Sequence, residues 1–257
     1  MTTKEKKNGK VTTTNRLPKP EVQELKIQPL NIGRLTLRLR GTSPLVVHAF
    51  GAKARLQMLE KQMATGKAAR EPRCPVEEFL DCFYHLDGKM PVSKIDDVTK
   101  EKTFDEKEVA DFCRNTTFLL PITGFKNAMI SACRNTDFTM TQMKQSIRLS
   151  GPDHHDWAVI NGDVETHKVS AVVGMDRECL PVMREDIVRL AGAARTPMVR
   201  FRPMWEKWET TINVDYDANQ FTKDQIGNIV AIAGFYVGVF EGRPERSSLG
   251  WGTFELV

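Results

Sequence analysis

The 257-residue chain has no stretch approaching the ~18–20 consecutive apolar residues that a membrane helix needs, so no helical span is expected. The basic residues near its start have no apolar run behind them, and a secretory signal is not expected either. Cysteine is sparse and scattered. Cys74, Cys82, Cys113, Cys133 and Cys179 make no C-x-x-C pair, which argues against a zinc ribbon or a disulfide framework and fits a reducing cytoplasm. G-x-x-x-x-G-K-[ST] is missing, and no G-x-G-x-x-G follows a strand. No Ser-His-Asp or Cys-His arrangement can be argued from spacing. His154-His155-Asp156 invites a metal, but adjacent histidines point apart and only His167 lies near in sequence. No catalytic residue, metal or cofactor is therefore expected. General acid–base work by His48 or His155 stays open, although His48, after an apolar run, reads more simply as a histidine at a strand end.

A basic excess is also lacking once charge is placed along the chain. The formal net charge is +4, but residues 1–30 hold seven Lys/Arg and three Glu, leaving the body neutral. Bulk charge gives no argument for nucleic acid; only its distribution does. Residues 96–111 carry seven Asp/Glu against three Lys. Residues 183–207 are basic, with Arg184, Arg189, Arg195, Arg200, Arg202 and Lys207 against Glu185, Asp186 and Glu206.

Residues 1–31 lack aromatics and are rich in Lys, Thr and Pro, so they read as a disordered basic arm. One domain, 32–257, follows. Leu35, Leu37 and Leu39 alternate with Thr36, Arg38 and Arg40, the period of a half-buried strand. Residues 51–115 read as an inserted helical lobe. Leu56, Leu59 and Met63 recur at helical spacing, and Pro75 opens a second helix with Val76, Phe79, Leu80 and Phe83 on one face. Phe125, Ala128, Met129, Ala132 and Cys133 make the stripe of a strong helix. Short strands fit near 146–149, 157–160, 169–173, 184–190 and 198–201, and Trp208 to Tyr216 alternates throughout. Thr222 with Gln225 predicts a capping box, ahead of a helix burying Ile226, Ile229, Val230, Ala233 and Phe235. A loop from Gly238 to Gly252 leads to a last strand. The expected fold class is α+β: an RRM or ferredoxin-like β-α-β-β-α-β core with large insertions.

Four groups are candidates for phosphate contact. Arg200-Phe-Arg-Pro-Met-Trp205 and Lys207-Trp208 interleave cations with the stacking candidates Phe201, Trp205 and Trp208, as a single-strand groove requires. The alternative is that these aromatics are core and the arginines a solvated edge. Thr123-Gly-Phe-Lys126 opens a helix, where free N–H groups and the dipole favour anions, with Lys126 adding charge and Arg134 beyond; a plain capped start is the alternative. Arg243 and Arg246 stand on the glycine-rich loop, which is otherwise a simple hairpin. Lys53, Arg55 and Lys61 surround the stripe of the helix at 51–65, a clamp or a lid.

Thr42-Ser-Pro-Leu-Val-Val-His48 resembles the opening of RAMP-superfamily proteins, the repeat-associated subunits of CRISPR complexes. Leu120-Pro-Ile-Thr-Gly-Phe-Lys-Asn-Ala-Met-Ile-Ser-Ala-Cys-Arg134 resembles their first helix, and Gly242-Arg-Pro-Glu-Arg-Ser-Ser-Leu-Gly-Trp-Gly-Thr-Phe254 their glycine-rich loop. Residues 32–257 also resemble a family of uncharacterised bacteriophage proteins, through the same opening, Met183-Arg-Glu-Asp186 and the module from Trp208 to the end. The resemblance implies a subunit that polymerises along single-stranded nucleic acid and holds its phosphates, mostly without catalysis. The expectation is a non-enzymatic, self-associating binder of single-stranded DNA, or of RNA, in phage replication or recombination. It would act in the cytoplasm of an infected bacterial cell. An endoribonuclease, and a phage structural or anti-defence protein, are the alternatives.

Overall fold

The computed structural model describes residues 28–63, 73–152, 156–160, 180–189 and 197–257. Residues 1–27 of the expected arm at 1–31, the strand at 169–173, His154, His155, His167, Cys179 and Arg195 lie outside them, as do the side chains of Lys53, Lys61 and Arg189.

In chain order the elements are β1 (Ile32–Gly41), β2 (Leu45–Val46), α1 (Ala52–Met63), α2 (Pro75–Asp81), β3 (Lys94–Ile95), β4 (Lys102–Thr103), α3 (Glu106–Asn115) and β5 (Leu119–Pro121). Then follow α4 (Ile122–Ala132), α5 (Met140–Ser146), β6 (Ile147–Ser150), β7 (Trp157–Val159), β8 (Val182–Arg189), β9 (Pro197–Trp205), β10 (Glu209–Asp217), α6 (Lys223–Ile232) and β11 (Phe254–Leu256). Helix and sheet are mixed, as the α+β class requires.

The main sheet has the order β11-β1-β10-β6, with every neighbour antiparallel. Taken alone, β1, α4, β6, β10, α6 and β11 succeed one another as β-α-β-β-α-β. Alternation decides its two faces, because successive side chains leave a strand on opposite sides. Leu35, Leu37 and Leu39 of β1 stand opposite Val214, Ile212 and Thr210 of β10 and join the core. Arg34, Thr36, Arg38 and Arg40 fall on the other face and are exposed.

The helices α4 and α6 close the apolar face. Ile122, Phe125, Ala128, Met129 and Ala132 of α4 are buried, as are Ile226, Ile229 and Val230 of α6. The capping box forms: the Thr222 hydroxyl accepts from the Gln225 N–H at 3.2 Å, and Gln225 Oε1 accepts from the Thr222 N–H at 2.8 Å. These reciprocal bonds satisfy donors that every helix start leaves unpaired.

The ribbon β1/β10 bends at Gly41–Pro44 and continues as β2/β9, joined by β8 in a three-stranded sheet. A side chain at Gly41 would run into the indole of Trp208, so the bend has room only for glycine. Trp208 is 1% exposed and donates from Nε1 to the Ser43 carbonyl at 2.9 Å. Trp205 is 2% exposed, with its ring 5.8 Å from Phe83 and 5.5 Å from Phe118. Both tryptophans are core residues, which corrects the expectation that they stack on bases. Phe201 is half-buried and packs against the same core.

Residues 51–115 behave in two ways. Phe79 and Leu80 of α2, Phe83 and Phe112 of α3 enter the main core. The stripe of α1 stays in solvent, with Leu56, Leu59 and Met63 exposed. Among the described residues no helix is long and apolar enough to cross a membrane.

Candidate nucleic-acid interface

The open face of the main sheet is the first place to look, since its strands present a row of arginines. Arg34, Arg38 and Arg40 each meet a carboxylate. Arg34 pairs with Asp215 at 3.2 Å, and Arg38 and Arg40 share Glu209, each at 2.7 Å. Arg148 lies opposite Asp215 in register, and Arg40 opposite Glu255. Among the described residues no aromatic side chain stands on this face. A hollow of 420 Å³, lined by Arg34, Leu35, Thr36, Ser150, Gly151, Pro152, Asn213 and Asp215, opens on it. A lattice of paired charges without rings is a poor match to a strand of stacked bases and phosphates. The alternation of Thr36, Arg38 and Arg40 along β1 is what sets these arginines on one side.

Partial burial alone would push the Glu209 carboxyl up, but hydrogen bonds from Arg40 and Arg38 outweigh it and hold it below its ordinary value. A carboxylate depressed in the folded state stabilises the fold above its unfolded pKa of ~4.3, and that stabilisation is lost as pH falls through the folded value. Glu209→Gln should therefore flatten the acid limb of stability against pH while leaving the neutral limb parallel to the parent. Urea midpoints measured from pH 7 down to pH 3 check this.

The described residues of the basic segment 183–207 lie mainly in the antiparallel pair β8/β9, with Arg184 opposite Arg202 and Asp186 opposite Arg200. Arg202 is not a phosphate contact. It is 6% exposed, and its two terminal nitrogens donate to Asp186 and Glu241, both at 2.9 Å, while Nε has no partner. A guanidinium this deep needs acids, and β8 and the glycine-rich loop supply them. Arg200 is half-buried and Lys207 exposed. His48 lies beside this group, its Nδ1 3.1 Å from Cys82 Sγ. Burial holds the His48 imidazole below its ordinary value and pushes the Cys82 thiol up to about 12, so Cys82 is an inert thiol at neutral pH.

The glycine-rich loop gathers the other cations. Its root is stitched shut: Val239 donates to the Gly252 carbonyl at 2.9 Å, Trp251 to Gly242 at 3.0 Å, and Gly252 to Pro44 at 2.8 Å. Gly252 has a φ of +68° and a side chain there would strike the Val239 carbonyl, so glycine is required on both counts. Phe240 fills the space above Gly124 in the first turn of α4, with its ring 5.9 Å from that of Phe125.

Beyond this root the tip turns back on itself, with Ser247 donating to the Arg243 carbonyl at 2.9 Å. There one carboxylate organises three guanidiniums. Glu245 pairs with Arg134 at 2.9 Å, Arg243 at 3.2 Å and Arg246 at 3.7 Å. Partial burial alone would push Glu245 up, but hydrogen bonds from Ser131 and Arg243 outweigh it and keep the carboxyl below its ordinary value. Glu245 is thus a fixed anion, and the cluster keeps an excess of two positive charges. Arg134 and Arg246 remain largely in solvent. On the loop's other side Arg184 stacks over Trp251 at 4.4 Å.

Of the residues singled out from the sequence, the fold brings together Arg134, Arg243 and Arg246, and sets Arg184 against the same loop. Lys126 stands near the start of α4, two turns from Arg134. Arg55, on α1, is exposed.

No family model matches the chain, and no curated protein matches it. Among solved structures the chain is similar to Cmr6 from Pyrococcus furiosus, at 10% identity and a TM-score of 0.41, over 89% of this chain and 100% of that one.

Proposed function

We propose that the chain binds single-stranded nucleic acid, DNA in preference to RNA, along the glycine-rich loop, and does so as a binder rather than an enzyme. The observation that carries this reading is the cluster of Arg134, Arg243 and Arg246 about Glu245. Three guanidiniums on a stitched loop offer far more N–H donors than one carboxylate can accept. The surplus is arranged for phosphate oxygens, which Arg engages by paired hydrogen bonds. The neutral body makes the contact local, so affinity depends on this cluster and not on a general attraction. The sequence resemblance of residues 32–257 to bacteriophage proteins supports a role in phage replication or recombination, with several copies associating along one strand.

The test is fluorescence anisotropy with labelled oligo-dT, oligo-U and a duplex over a salt series. The parent should bind oligo-dT best, with affinity falling steeply as salt rises. Each phosphate contact on a single strand contributes about 0.7 to the slope of log affinity against log salt. Arg134→Ala with Arg246→Ala should lower that slope by about 1.4 and weaken binding about tenfold or more at 0.1 M salt. The remaining Arg243 still pairs with Glu245, so folding should be little changed. No binding at low salt, or an unchanged slope, would overturn the proposal. RNA should come through the incubation intact; cleavage lost in His48→Ala would replace binding with catalysis.

A further inference from the structure

The helix α6 does not end as it begins. After Ile232 it widens into a single π-helical turn over Ala233–Val237 and stops at Gly238, whose φ is +69°. π-Turns are uncommon and cluster at functional sites. The inner side of this turn is fully used. Ala233, Gly234 and Val237 are buried, and a side chain at Gly234 would run into the Phe254 carbonyl of β11.

The two residues left over, Phe235 and Tyr236, are pushed outward, 72% and 56% exposed. The sequence pattern alone sets Phe235 on the buried side with Ala233. It lies two residues beyond Ala233 in the wider turn, on the opposite side of the helix, and is exposed.

Single exposed apolar residues need no explanation. Here two large rings are neighbours, 4.8 Å between centroids and edge to face at 79°. In such a pair the ring that offers its edge keeps both of its faces uncovered by its partner. Their position is also specific. Val237, the next residue, accepts a hydrogen bond at 3.3 Å from the N–H of Glu245, the carboxylate that holds the arginines. The segment that carries the rings is therefore tied, through one backbone contact at the next residue, to the residue at the centre of the cationic cluster. Phosphates repeat along a strand with a base beside each, so a site for one that ends in open rings is suited to the other.

We propose that Phe235 and Tyr236 are a stacking platform for unpaired nucleobases of the strand whose phosphates Arg134, Arg243 and Arg246 hold. The platform rests on the function proposed above and adds its base-contacting element. Every base has a π-face, so the platform would give affinity for single strands without choosing a sequence. A base within a duplex is already stacked on both sides and would gain nothing from it.

The experiment compares oligo-dT with an abasic oligonucleotide of the same length, on the parent and on Phe235→Ala/Tyr236→Ala. The double variant should lose about ten- to hundredfold in affinity for oligo-dT with an unchanged salt slope. The abasic strand should bind the parent more weakly than oligo-dT does, and the double variant should not weaken it further. Phe235→Tyr and Tyr236→Phe, which keep the rings, should bind as the parent does. Both positions lie outside the core, so an unaltered melting temperature certifies the fold. Equal losses for the two strands, or no loss for oligo-dT, would overturn the platform while leaving the arginine site standing. A parent that binds neither strand would remove both readings.

Discussion

Trp205→Ala is expected to destabilise the protein by about 3–5 kcal/mol, a large part of the ~5–15 kcal/mol that holds a typical domain folded. The indole is 2% exposed and closes a cluster that Phe83 reaches from just beyond α2 and Phe118 from just before β5. Phe83 in turn meets Phe79 at 4.9 Å and Phe112 at 5.7 Å, so one ring touches elements spread from residue 75 to residue 205. Removing the indole leaves a cavity that rings carried by separate segments around α2, α3 and β5 cannot collapse to fill. Urea unfolding should show a lower midpoint with an unchanged slope. The measurement also decides the question that its sequence neighbourhood raised. If Trp205 stacked on bases, the alanine variant would keep its stability and lose affinity for oligo-dT. Burial predicts the reverse, with any residual folded protein binding normally.

Arg202→Ala should cost about 2–4 kcal/mol, and for a different reason. The guanidinium joins three parts of the chain: β9, which carries it, Asp186 on β8 and Glu241 on the glycine-rich loop. Deleting it leaves Asp186, whose side chain is 12% exposed, with Arg184 at 2.8 Å as its remaining partner. That partner keeps the cost below that of a wholly orphaned buried charge. Glu241 is 45% exposed in its side chain and recovers water more readily. The loss should thus be larger through Asp186 than through Glu241. Asp186→Ala combined with Arg202→Ala should cost less than the two single changes added together, since each exposes the charge of the other. Thermal melts of the four proteins give that coupling, and additive losses would mean that Arg202 is held by packing alone.

What was readable in the sequence was local. Alternation from Ile32 onward marks β1, Pro75 marks the first turn of α2, and Thr222 with Gln225 marks the start of α6, because each signal lies within four residues of the structure it directs. Depth was not readable in the same way. In Arg200-Phe-Arg-Pro-Met-Trp205 the alternation is genuine, yet Arg202 on one face and Trp205 on the other are both buried. Arg202 is held there by Asp186 and Glu241, which are 16 and 39 residues away. The cation cluster was half legible: Arg134, Arg243 and Arg246 were each singled out, but nothing local announces that Glu245 would draw them together across 111 residues. In α1 the apolar stripe is plain, and still it lies in solvent, because a stripe states what a helix offers and not what it meets.

The pairing at the centre of the main sheet has a consequence for how the molecule is made. Thr36 of β1 bonds to Asn213 of β10, a separation of 177 residues. A strand at the beginning of the sequence thus waits for one near its end. During synthesis β1 leaves the ribosome with its inner row of leucines and no sheet neighbour until residues 209–217 follow, and its other neighbour, β11, is later still. Contacts this distant repay their loop-closure entropy only after most of the chain exists, which slows folding. Pairing of β1 with β10 is therefore expected to complete late, after local helices and the β8/β9 pair.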